Sequence, residues 1–97
     1  MKDKNEILQI LKKIKPVLEK KYNITEIGLF GSYLRGEQTP ESDIDILLDH
    51  NSGLTFFKLI DLENFLTELL NIKVDIAFKK YLKKNIGKRI LSEVIYV

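Results

Sequence analysis

Between Gly31 and Asp49 the chain reads GSYLRGEQTPESDIDILLD, and it closes on an alternation of aspartate with isoleucine. Residues two apart on a β-strand project from the same face. DIDI therefore describes a strand with Ile44 and Ile46 in a core and with Asp43 and Asp45 side by side on the other face. Their Cα atoms would lie roughly 7 Å apart. Aspartate is depleted in strands, and like charges on one face repel, so something positive is expected between the two carboxylates. The bland reading is a solvated face with two surface charges; the chemical one is a pair of oxygen ligands for a cation.

The rest of the chain supplies elements to hold that strand. Ile7, Ile10, Leu11, Ile14, Val17 and Leu18 recur at three and four, predicting an amphipathic helix over about 3–21. Pro16 should kink or briefly break it, or begin a restarted helix from its own first turn. ITEIGLF (24–30) reads as a strand ending at Gly31, and Ser32 to Arg35 as one helical turn closed by Gly36. After the polar loop EQTPES comes the Asp-Ile strand. LTFFKLIDLENFLTELL (54–70) is expected to be the main covering helix, with Leu54, Phe57, Leu62, Phe65, Leu66 and Leu69 inward and Ser52 or Thr55 as cap. KVDIAF (73–78) reads as a third strand, Lys83 to Leu91 as a short helix with Leu82, Ile86 and Ile90 four apart, and VIYV as a final short strand. The order implies an α/β (α+β) fold, a small sheet covered by helices, in one domain over 1–97.

Composition narrows the chemistry. The 97 residues are 44% hydrophobic and 31% charged, ordinary for a globular domain. No apolar run approaches the roughly 20 residues of a spanning helix, and the N-terminus lacks a signal peptide's apolar block, so a cytoplasmic location is expected. With no cysteine and one histidine, His50, any metal must be held mainly by oxygen, which favours magnesium or manganese. His50 itself reads as a solvated loop residue. The net charge of +2, 16 basic against 14 acidic residues, gives no reason to expect direct nucleic-acid binding. Lys79, Lys80, Lys83, Lys84, Lys88 and Arg89 crowd the C-terminal fifth, as a solvated helix face or as a partner-facing or phosphate-facing patch.

Two further features accompany the carboxylate pair. Gly31-Ser32 lies at a strand-to-turn junction, where glycine permits close backbone approach and free amides attract phosphate oxygens. Ser32 can add its hydroxyl, and Arg35, one turn on, could reach the same anion. A plain turn with an N-cap and a surface ion pair are the simpler alternatives. Asp75 stands in the middle of an apolar strand. Either that strand is an exposed edge, or it lies beside the Asp43/Asp45 strand and completes a three-carboxylate cup for two magnesium ions. Gly31 to Gly36 has the glycine spacing of a P-loop, but Glu37 and Gln38 stand where Lys and Ser/Thr are required, so a Walker-type ATPase is excluded.

Gly31-Ser32 followed by Asp43-x-Asp45 is similar to the signature of the nucleotidyltransferase superfamily, whose fold resembles the palm of DNA polymerase beta. The fuller pattern, Gly31-Ser32-x-x-Arg35-Gly36 with Ser42-Asp43-x-Asp45, resembles the minimal nucleotidyltransferases, or MNT proteins, over nearly the whole chain. Leu34 stands where a smaller residue is frequent. The resemblance implies that Asp43 and Asp45 bind the metals and that Asp75 completes the site and could act as base. It also implies that Gly31 and Ser32 hold the nucleotide's terminal phosphates, helped by Arg35, while Ser42 orients Asp43 or touches the triphosphate.

Small members of this family often act as antitoxins of HEPN-domain ribonucleases, some by transferring AMP from ATP to a toxin tyrosine with loss of pyrophosphate. Two functions are therefore carried forward: a magnesium-dependent protein adenylyltransferase with ATP as substrate and a HEPN toxin as partner, and a catalytically silent module that neutralises the toxin by docking. An intact Gly-Ser and all three aspartates favour the enzyme, since docking has no need to hold three carboxylates together. Homo- and hetero-oligomeric states are both left open.

Overall fold

The structure is a computed structural model and describes residues 2–97. Helix α1 spans Lys4–Tyr22, capped by Asp3, whose side chain accepts the Glu6 amide at 2.9 Å. It runs through Pro16 without the expected break. Pro16 is exposed, so the carbonyl that loses its partner faces water and the cost is small. Then follow β1 (Ile24–Phe30), the single turn α2 (Ser32–Arg35), β2 (Ile44–His50), α3 (Phe56–Leu70) and β3 (Val74–Phe78). A 3-10 turn (Lys79–Tyr81), α4 (Lys84–Glu93) and β4 (Ile95–Tyr96) complete the chain. Asn23 and Asn71 end α1 and α3 in the left-handed conformation, both with φ 56°.

The strands form one mixed sheet in the order β3-β2-β1-β4. β1 is antiparallel to β2 and to β4, and β2 is parallel to β3, so α3 is the crossover that parallel pairing requires. The alternation expected for β2 is present: Ile44, Ile46 and Leu48 are fully buried in the main core with Ile27, Leu29 and Val74. That core lies under α1, through Ile7, Leu11 and Leu18, and under α3, through Leu62, Leu66 and Leu70. Tyr22 donates its hydroxyl to Asp61 at 2.6 Å and ties the two helices together.

Of the two caps expected for α3, Thr55 is the one used, accepting the Lys58 amide at 3.2 Å. Two residues of its inward face differ from the expectation. Phe57 is 81% exposed, because it precedes Leu62 by five residues and so sits about 140° round the helix from it. Leu69 is 39% exposed at the margin of the stripe, and Leu70 takes the inward place. Ile86 of α4 is likewise 56% exposed, lining a surface groove rather than a core. Among the described residues no helix is long and apolar enough to cross a membrane.

Candidate active site

The site is built at the end of the sheet where β1 leaves and β2 and β3 enter. Asp45 is paired in register with Phe30 of β1 on one side and with Asp75 of β3 on the other. Residues directly opposite in a parallel pair share a face, so the Asp45 and Asp75 side chains leave the sheet together. Asp75 is exposed on β3, an edge strand, and that edge lies beside β2 with Asp75 in register with Asp45. Asp43 stands one residue before β2, half-buried, with Lys73 Nζ 3.9 Å from its carboxylate. The lysine is the positive neighbour that such a pair calls for.

Charge accumulates at Asp45. Partial burial, then the charges of Asp75 and Asp43, push its carboxyl up to about 6, with Arg35 acting in the opposite sense. Among the described residues no three carboxylate or imidazole groups are drawn into a finished metal cage. The donor chemistry nonetheless fits magnesium: hard oxygens, carried on neighbouring strands, with no sulfur or imidazole among them.

Gly31 sits directly on Asp45. Its φ is +81°, and a Cβ built there would fall 2.0 Å from Asp45 Oδ2. Glycine is therefore required twice, for the backbone conformation and for the space the carboxylate fills. Ser32 is half-buried at the start of α2. The Ser42 hydroxyl accepts the Thr39 amide at 2.9 Å and closes the loop before β2.

Arg35 projects toward the C-terminal helix instead of into empty solvent. Its Nη1 donates to both oxygens of Glu93, at 2.8 and 3.0 Å, and its Nε to Glu37 at 2.8 Å. The Gly31 amide donates to Glu93 Oε2 at 2.8 Å. Burial opposes ionisation of Glu93, but the Gly31 amide and the Arg35 guanidinium outweigh it and hold the carboxyl below the usual carboxylate range. Beside this contact lies an open groove of about 250 Å³ between the sheet end and α4. Phe30, Ile86 and Ile90 supply its apolar wall, and Arg89 and Glu93 its charged rim. Sequence reasoning missed Glu93 and this wall. The helical spacing of Ile86, Ile90 and Glu93 was the available signal, but nothing in it points at Gly31. Of the basic cluster, Arg89 faces the groove, Lys79 pairs with Glu26 and Lys80 with Asp49. Lys83, Lys84 and Lys88 are exposed.

Comparison with known proteins agrees with this geometry. Residues 11–97 match the nucleotidyltransferase domain family. A Methanocaldococcus jannaschii protein, MJ0126, named as a candidate protein adenylyltransferase, is 47% identical over 98 residues, covering 100% of both chains. The protein adenylyltransferase MntA of Thermococcus cleftensis is 45% identical, over 95% of this chain and 93% of its own. A chain from a crystal structure of a toxin-antitoxin with AMP-PNP superposes with a TM-score of 0.68 at 25% identity, covering 95% of this chain and 69% of that one. The mixed sheet, the glycine turn against an aspartate strand and these relatives lead to one conclusion: the chain belongs to the nucleotidyltransferase domain family, among its minimal members, and is an enzyme of that class.

Proposed function

We propose that this protein transfers the AMP moiety of ATP to a tyrosine hydroxyl of a HEPN-domain toxin, releasing pyrophosphate, and so serves as the toxin's antitoxin. The observation that carries the reading is the registered pair Asp45 and Asp75, with Gly31 packed directly on Asp45. Docking alone has no need to hold three carboxylates together beside a glycine turn, whereas the two suit a charged phosphate and a cation. Relatives named as protein adenylyltransferases, and a fold neighbour crystallised with AMP-PNP, favour ATP as the donor and a protein as the acceptor.

In this reading Asp43, Asp45 and Asp75 would hold magnesium, which when bound neutralises triphosphate charge and makes an attacking hydroxyl more acidic. Asp75, exposed at the sheet edge, would take the proton from an acceptor hydroxyl arriving from solvent. The Gly31 turn brings backbone within reach of the phosphates, and Arg35 and Arg89 offer guanidinium groups to their oxygens. Phe30, Ile86 and Ile90 give the nucleoside an apolar wall. Ser42 keeps the loop before Asp43 in place through the Thr39 amide. Mass spectrometry of the toxin co-expressed with this protein tests the reading. An AMP-sized increment on a tyrosine, absent with Asp45→Asn, is the expected result. A toxin that is silenced but unmodified would transfer the case to neutralisation by docking alone.

A further inference from the structure

The groups assigned above to the triphosphate already hold an anion in this structure, and that anion belongs to the chain. Glu93 receives the Gly31 N–H at 2.8 Å and both Arg35 Nη1 contacts, at 2.8 and 3.0 Å. Carboxylate and phosphate oxygens compete for the same charge-assisted donors. A phosphate cannot take the Gly31 amide while Glu93 keeps it, since one N–H serves one strong acceptor at this distance. Building on the proposed function, we infer that Glu93 is an internal competitor of the nucleotide: its carboxylate stands in for a phosphate oxygen and keeps the site closed until a triphosphate displaces it.

The surroundings make displacement feasible. Glu93 is the last residue of α4, and its side chain is 28% exposed, so it can swing to solvent without the helix moving. The helix end is independently secured by the Val94 amide donating to Ile90 at 2.9 Å. With Glu93 in place the groove adds a fourth carboxylate to Asp43, Asp45 and Asp75 and ties up Arg35. With Glu93 turned out, Arg35 and Arg89 both face the groove and its charge becomes hospitable to phosphate. The arrangement also spares the ligand-free site a partly buried, unsatisfied amide at Gly31.

Calorimetry with AMP-PNP and magnesium on the parent, Glu93→Gln and Glu93→Ala tests the inference. Removing the competing charge should tighten binding about tenfold, the worth of one charge-assisted contact after solvent screening. Inorganic tripolyphosphate without metal should follow the same order. Equal or weaker binding by both variants, with a parent that binds, overturns the competitor and leaves the proposed function standing; Glu93 would then be a residue that positions Arg35. No AMP-PNP binding by any of the three overturns both readings together. A measurement on the parent alone guards against variants that misfold: titration with AMP-PNP should move the Gly31 amide and Glu93 carboxyl NMR resonances together, and a Glu93 resonance unmoved at saturation overturns the inference.

Discussion

Asp45→Asn exchanges a carboxylate for an amide of the same shape, and its effect on stability can be worked out from the site. Asp45 is pushed from 3.8 to about 6 by burial and by Asp75 and Asp43. At about 1.4 kcal/mol for each tenfold change in proton affinity, that is roughly 3 kcal/mol of disfavoured charge. The group is only half-buried, and solvent screening reduces the figure to about 1 kcal/mol. The sign follows from linkage. A carboxylate whose folded pKa exceeds its unfolded value carries no penalty when protonated in both states and the full penalty when ionised in both. Without metal the parent should therefore lose stability as pH rises from about 4 to about 6, and the Asn variant should not share that loss. Urea denaturation in EDTA at pH 7.5 should show the variant more stable by about 1 kcal/mol, or about 4–8 °C in Tm for a domain of this size. At pH 4 the two should nearly coincide. Magnesium at pH 7.5 should reverse the order, since only the parent keeps its full ligand set. A variant no more stable than the parent at pH 7.5 in EDTA would refute the claim that burial and the neighbouring carboxylates disfavour the charge on Asp45.

Protons and magnesium compete for Asp45, so magnesium affinity by calorimetry should be flat above pH 7 and weaken as pH falls through about 6, approaching tenfold per pH unit below it. Gly31→Ala forces a Cβ onto Asp45 Oδ2 at a backbone φ of +81°; AMP-PNP binding should be lost and the fold weakened by about 1–3 kcal/mol, read from binding and denaturation on the same sample. Thr55→Ala removes the cap of α3 far from the site; it should cost about 1 kcal/mol while leaving nucleotide affinity unchanged.

The parts legible in the sequence are those whose physics is local. The Asp-Ile alternation placed Ile44 and Ile46 in the core, and strand periodicity alone put Asp45 on the opposite face. Asp75 could be brought to Asp45 because an apolar strand interrupted by one carboxylate has few tolerable neighbours. Gly31 was legible as a close-approach position, though what approaches it, the Asp45 carboxylate, was not. No break occurs at Pro16, because the rule against helix-interior proline assumes that the lost hydrogen bond matters, and on a solvent-facing turn water replaces it. Glu93 could not be found: it lies 62 positions from Gly31, and its role depends on how α4 folds back over the sheet end. Gly28 escaped notice for the same reason. A Cβ there would meet Val94 Cγ2 at 2.5 Å, a clash that exists only once the C-terminal segment has docked on β1.

The parallel pairing of β2 with β3 also sets an order of assembly. β1, the glycine turn and β2 are consecutive, so Gly31 meets Asp43 and Asp45 as soon as that antiparallel pair forms. Asp75 arrives only after α3 has folded back and laid β3 alongside, a slower closure over more chain. In that closing step a third negative charge is carried toward two others, so electrostatic work is done late in folding. A divalent cation held by Asp43 and Asp45, as proposed for the site, would lower that barrier, and so would take part in building the sheet edge.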